Sequence, residues 1–329
     1  MRSIPADVNV IVDDHQHSAS AEIRNRGHAR IRPAHLKALT ALALFILGVA
    51  ASPPAKGQAK SGTTVILGFS QEKVLMAADS RAVYWDGRVD DKQCKVIALG
   101  DKLLFGAVGI QGVRSRTSSI HSWEAVAEAR RAFAHESARG PGDIGRIAAY
   151  WESAIKQHLT EQLAYDPDGV IHSIQKDGPV LSMGVFAGKN PDGKLGSIAM
   201  MVSCDTTSKQ FPCSADHIRK HLARLNVQKL ELPAFAPTVK FEPFGVSGTF
   251  ARFENAPEKL SADELGIWNS VALRSAIKDP DAQRAVKFID LTILYDRRKA
   301  GVGGDVDVVE LTRSGGVTWL NRKQGCPAD

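Results

Sequence analysis

Two apolar hairpins end in polar residues whose types could do nucleophilic chemistry. Thr63–Phe69 and Val74–Ala78 are rich in β-branched and apolar residues, and polar Ser70-Gln71-Glu72-Lys73 between them reads as a turn. A turn around residues 71 and 72 sets Thr64 opposite Asp79 and Thr63 opposite Ser80, about 5 Å apart in an antiparallel pair. A second hairpin is expected from Lys95–Leu99 and Leu103–Val108, which flank Gly100-Asp101-Lys102. Its turn near Asp101 puts Lys95 opposite Ala107, two residues from Gly109. A hydroxyl, a carboxylate, an ammonium and a permissive backbone could thus meet at the ends of two hairpins. The same arithmetic also fits polar strand ends standing in solvent.

Rival motifs are weaker. His135-Glu136 lacks the second histidine of a zinc helix, no G-x-S-x-G is present, and no helical pattern follows Gly301-Val302-Gly303-Gly304, which excludes a dinucleotide loop. The ten histidines are scattered along the chain. Neither a metal site nor a cofactor site is expected.

The elements that must position these residues alternate in blocks. Amphipathic helices are expected at about Trp123–Ala138 and Asp143–Leu163, the second with Ile144, Ile147, Trp151 and Ile155 on one face. A third hairpin, Leu181–Ala187 with Ser197–Ser203, turns on Asn190-Pro191-Asp192-Gly193. Helical stretches near Ala215–Leu225, Ala262–Ile277 and Asp281–Asp296 follow, then the strand pair Asp305–Thr312 and Gly316–Leu320. This order suggests an α+β domain over 63–329, with two antiparallel sheets covered by helices on both sides.

The 329 residues are 43% hydrophobic and 24% charged, proportions that exclude general disorder. Of the net charge of +6, residues 1–62 hold eight Lys/Arg against four acids, so the rest carries only +2. No RNP, zinc-finger or helix-turn-helix spacing accompanies that small excess, and nucleic acid is not an expected partner. Residues 1–62 read as a leader, signal peptide and propeptide. Arg24, Arg26, Arg30, Arg32 and Lys37 precede an apolar run, Ala38–Ala51, that is shorter than the roughly 20 residues of a spanning helix. Val49-Ala50-Ala51 fits a signal-peptidase site, with Gly57-Gln58-Ala59 a second candidate. Export to the periplasm or the medium is expected, with an uncleaved membrane anchor or an over-long gene start as alternatives. Residues 52–62 have linker composition. Cys94, Cys204, Cys213 and Cys326 lack C-x-x-C spacing; Cys204 and Cys213 could pair across a short hairpin or stay as buried thiols.

Gly62-Thr63-Thr64-Val65, Ala77-Ala78-Asp79-Ser80-Arg81-Ala82, Lys95-Val96 and Gly106-Ala107-Val108-Gly109 together resemble, without a gap, the start of proteasome β-subunits and of the bacterial peptidase HslV. Counting from Thr63, the aspartate follows after 16 residues, the lysine after 32 and the glycine after 46, the family's separations for catalytic threonine, acid, lysine and oxyanion glycine. Leu181-Ser182-Met183-Gly184 resembles a later hairpin of that family, and Gly245-Val246-Ser247-Gly248 its serine turn.

The resemblance implies a four-layer αββα sandwich and an N-terminal nucleophile, Thr63, freed by cleavage after Gly62. Its own α-amine, with an ordinary pKa near 8, is then the base. Lys95 supplies a cation beside it, Asp79 orients Lys95, the Gly109 N–H faces the oxyanion, and Ser247 relays the amine's proton through water. The same spacing gives a substrate pocket lined by Ala82, Gln93, Ala107, Gln111 and Ser115, none of them ionisable at neutral pH. The implied substrates are peptides or small amides. Ring assembly as a homo-oligomer is open, and export implies no ATPase partner. One stretch departs from the pattern: aligning on Gly303-Gly304 puts Lys299 and Val302 where the family has an aspartate and a serine, and Asp296 serves only if the loop is three residues longer. A proteasome-like scaffold without catalysis, and an acylase of small amides, are the rival readings.

Overall fold

A computed structural model of the chain describes residues 58–61, 63–84, 87–114, 122–206, 213–231, 236–245, 260–269, 277–296 and 301–326. The expected signal segment, the cleavage-site candidate Val49-Ala50-Ala51, Gly57 of the second candidate, Gly62, Ser115, Ser247 and Lys299 lie outside the described residues, as does the side chain of Asp296. All described residues belong to one unit, Pro54–Asp329. None of its described helices is long and apolar enough to cross a membrane.

The chain begins with β1 (Gln58–Ser61), β2 (Thr64–Phe69), β3 (Lys73–Asp79), β4 (Ala82–Tyr84), β5 (Val89–Asp90), β6 (Val96–Leu99), β7 (Leu103–Gly109), β8 (Gly112–Arg114) and β9 (Trp123–Glu124). Next come α1 (Ala125–Ser137), α2 (Ile144–Tyr165), α3 (Pro167–Asp177), β10 (Val180–Lys189), β11 (Leu195–Cys204), α4 (Ala215–Arg219) and β12 (Leu225–Glu231). Last are β13 (Lys240–Gly245), α5 (Ala262–Asn269), α6 (Pro280–Asp296), β14 (Val306–Thr312) and β15 (Val317–Asn321). The class is α+β. The strands form antiparallel sheets in the orders β13-β2-β3-β14-β15, β12-β11-β10-β7-β6 and β5-β4-β1-β8-β9.

Strands β2 and β3 read as unbroken apolar runs because both of their faces are covered. On one face Ile66, Leu75 and Ala77 pack with Ala285, Phe288 and Ile289 of α6. On the other, Val65, Leu67 and Met76 pack with Leu104 and Val185 of the second sheet. The far face of that second sheet gives Phe105 and Phe186 to Trp151 of α2 and Ala129 of α1. Trp151 is fully buried, and its indole N–H is satisfied by the Ala125 carbonyl at 2.9 Å.

Both expected hairpin registers are present, Val65 opposite Ala78 and Val96 opposite Gly106. Several other expectations need correction. The first helix begins at Ala125 because Trp123–Glu124 pairs with β8 as a strand. The stretch from Ala215 stays helical only to Arg219; His221 has φ +57, and the chain then becomes the edge strand β12. Helix α3 went unanticipated although its signal is local: the Asp166 carboxylate accepts from Gly169 N–H and Pro167 occupies the first turn.

The third sheet is also new relative to the sequence reading. Residues 52–62 looked like a linker, yet Gln58–Ser61 lies as a strand between β4 and β8, with Lys60 opposite Tyr84 on one side and Gly112 on the other. Two facing strand edges present rows of backbone donors and acceptors that an extended chain satisfies whatever its side chains. Cys204 and Cys213 form a disulfide, so the free-thiol alternative falls, and Cys94 pairs with Cys326, 232 residues away.

Candidate active site

The Asp79 carboxylate organises the end of the β2–β3 hairpin. Its Oδ1 accepts from the Thr64 backbone N–H at 2.9 Å and its Oδ2 from the Gly303 N–H at 3.0 Å and the Arg81 N–H at 3.2 Å. Lys95 Nζ donates to both oxygens at 3.0 Å. Neither side chain of this pair has any exposed surface. A lone buried carboxylate would be costly, and here an opposite charge and three backbone donors replace water.

Burial pushes the Lys95 ammonium down to about 8 against the opposing attraction and hydrogen bonds of Asp79; nearby Lys323 lowers it further and Asp91 opposes that. The cation is therefore one that can titrate near neutral pH. Lys95 reaches this place because Ala107 N–H donates to its carbonyl at 3.0 Å, continuing the β6–β7 register.

Thr63 stands one residue before β2 with 2% of its surface exposed. Its Oγ1 accepts from the side-chain amide of Gln111. Gly245, at the end of β13, presses on it from the neighbouring strand: it has φ +90, and a Cβ there would collide with the Thr63 carbonyl oxygen. Gly109 ends β7 with φ +79, and a Cβ there would meet the Leu181 carbonyl oxygen at 2.6 Å. No other residue type fits either place without strain.

Around this knot the backbone is held by further bonds. Gly303 O accepts from Ser80 N–H at 3.1 Å and Arg81 N–H at 2.9 Å. Arg81 grips Asp91 with two hydrogen bonds, at 2.6 and 3.0 Å, and that bonding holds the Asp91 carboxyl below its usual range. The departing 296–304 loop thus still delivers Gly303 to Asp79. Val302, which aligns with a serine of the resembled family, is buried with 1% exposure.

Of the residues expected from sequence, Thr63, Asp79, Lys95 and Gly109 belong to this cluster of strand ends, while the pocket set is divided. Ala82 in β4 and Ala107 in β7 are fully buried. Gln93 turns its side chain to Asp90 instead and gives its carbonyl to Lys323. Gln111 is engaged with Thr63 rather than available as pocket wall. Sequence reasoning missed Arg81, Asp91 and Gly303 as supports. Arg81 and Gly303 lie inside or beside the quoted motifs, so their neighbourhood was the available signal. Comparison with protein-family models finds none that matches the chain, and no curated protein matches it either.

Proposed function

We infer that the chain is an N-terminal-nucleophile hydrolase, resembling proteasome β-subunits and HslV, that hydrolyses peptide or other amide bonds through Thr63. The observation carrying this reading is the buried Asp79 carboxylate, which binds Lys95 Nζ, Thr64 N–H and Gly303 N–H at 2.9–3.0 Å beside the threonine. The three apolar cores, helix on sheet, sheet on sheet and sheet on helix, support a four-layer αββα sandwich.

Maturation follows from the chemistry of Thr63. Its Oγ attacks the Gly62 carbonyl carbon, the C–N bond breaks, and the nitrogen takes the hydroxyl proton to become a free α-amine. Water then hydrolyses the resulting ester and releases the leader with a Gly62 carboxylate. On a substrate amide the same oxygen attacks again, with the amine holding its proton and the Gly109 N–H receiving the oxyanion. The proton passes to the departing amine, and water hydrolyses the acyl-enzyme with the α-amine as base. Lys95 contributes charge that favours the unprotonated amine, and Ser247 relays protons through water.

Strand β1 supports an extended substrate. The leader residues just before Thr63 are paired on both sides, and their removal would expose the edges of β4 and β8 to a peptide strand. The two disulfides support an exported enzyme, which works without an ATPase partner. Buried Val302, in place of a serine, favours the rival reading of a non-catalytic scaffold. Short fluorogenic peptide amides without nucleotide decide between them. Hydrolysis by the wild type and none by Thr63→Ala is expected; none from either would leave the scaffold, and equal rates from both would remove Thr63 as the nucleophile.

A further inference from the structure

Gln111 touches the Thr63 hydroxyl, although its spacing pointed to the pocket wall. Its backbone is fixed on both sides. Gly109 turns the chain out of β7, Ile110 N–H donates to the Leu181 carbonyl at 2.6 Å, and the Gln111 carbonyl accepts from Ala125 N–H at 2.7 Å. Only 5% of Gln111 is exposed, so its amide must find partners inside the protein. The side-chain nitrogen meets Thr63 Oγ1 and the Ala107 carbonyl oxygen, the latter at 3.4 Å. A carbonyl oxygen only accepts, so the NH2 end faces inward and Gln111 is a donor toward Thr63.

We propose that Gln111 is a further catalytic residue of this site, whose side-chain N–H binds Thr63 Oγ and stabilises the negative charge that develops there as the hydroxyl proton leaves. The proposal rests on the reading of Thr63 as the nucleophile. It concerns a different oxygen from the one assigned to Gly109, which faces the carbonyl oxygen of the substrate. With one lone pair of Oγ engaged, the hydroxyl rotor is fixed and its proton is directed to another acceptor. During acylation the donor makes deprotonation of Oγ less costly. During deacylation the C–O ester bond breaks, Oγ leaves with that electron pair and regains a proton, and the same donor stabilises it. Both half-reactions and the Gly62–Thr63 cleavage should therefore depend on Gln111.

The test uses the full chain with two substitutions of similar volume. Gln111→Leu removes the donor, and Gln111→Glu can donate only while its carboxyl is protonated. Leader cleavage is followed by intact mass, and kcat and KM are measured across pH on the best-hydrolysed member of a fluorogenic peptide-amide panel. Gln111→Leu should slow cleavage and kcat by about a hundredfold or more with KM nearly unchanged, on the scale of losing one buried catalytic donor. Gln111→Glu should run close to wild type at low pH and fall away as pH rises. If Gln111→Leu matches wild type while Thr63→Ala is dead, the proposal alone fails. A change in KM and in side-chain preference with kcat intact, or a loss in Gln111→Glu that is the same at every pH, would make Gln111 a packing or pocket residue and overturn it too. Activity that survives Thr63→Ala removes the nucleophile and this role together.

Discussion

Among the described residues two lysine–aspartate pairs are buried, and they differ in what stands next to them. Lys95–Asp79 binds the backbone N–H of Thr64, the residue that follows Thr63. In the other, Lys323 Nζ binds Asp307 Oδ2 at 2.8 Å, with side chains only 4% and 1% exposed. The Lys323 backbone N–H also donates to Asp307 at 2.9 Å, its ammonium donates to the Gln93 carbonyl, and Cys326 lies 3.7 Å from Asp307 and is bonded to Cys94. Each carboxylate takes one ammonium, with three backbone N–H groups at Asp79 and one at Asp307. Burial of an ion pair is therefore no mark of a site by itself. The second pair is a clasp that fastens the C-terminal segment under residues 93–95; the first adds a hydroxyl, and a donor to that hydroxyl.

Substitutions can break this comparison. Lys95→Met should cost at least about a hundredfold in rate, because the charge near the proposed nucleophile is lost. It should also cost about 3–5 kcal/mol of stability, since Asp79 is left buried without its cation. Thermal unfolding and kinetics on the folded fraction separate the two losses. Lys323→Met should lower stability by a similar amount for the same reason, while the folded fraction keeps its rate near neutral pH. Equal loss of activity in both variants would erase the distinction between site and clasp.

A smaller effect concerns pH. The Lys95 ammonium titrates at about 8, below its ordinary value because of burial. If its charge is what the site needs, the rate falls as pH rises through about 8. Removing the second cation with Lys323→Met should move the alkaline limb upward, because Lys323 lowers the Lys95 value. A pH–rate profile of kcat/KM for both proteins checks this, and an unmoved limb would contradict it.

The least effect is expected in specificity. Ala82 and Ala107 offer room without charge, and Gln93 and Gln111 are turned elsewhere. None of these four offsets desolvation of a charged group, so neutral residues before the scissile bond should be preferred. A preference of about tenfold or more for an acidic or basic residue in a peptide panel would show that another wall forms the pocket.

Much of the site was legible because it sits at the ends of tight hairpins, where register follows from counting. Thr64–Asp79 and Lys95–Ala107 needed only the turn positions, and both pairings hold. Helix α2 was legible from its apolar stripe of Ile144, Ile147, Trp151 and Ile155, all buried. What counting misses is long-range or made by backbone. The β1 strand is set by the two edges it joins rather than by its side chains, and Cys94 finds Cys326 across 232 residues. Gln111 was placed by spacing yet not oriented, since the direction of a buried amide depends on the partners it meets.

The mature N-terminus is the most direct measurement. Intact mass of the wild-type chain purified from its native host should give a protein beginning at Thr63, and Thr63→Ala should keep Gly62 and residues before it. A wild-type chain that keeps Gly62 under all conditions would contradict the account, because the threonine would then have no amine to act as its base.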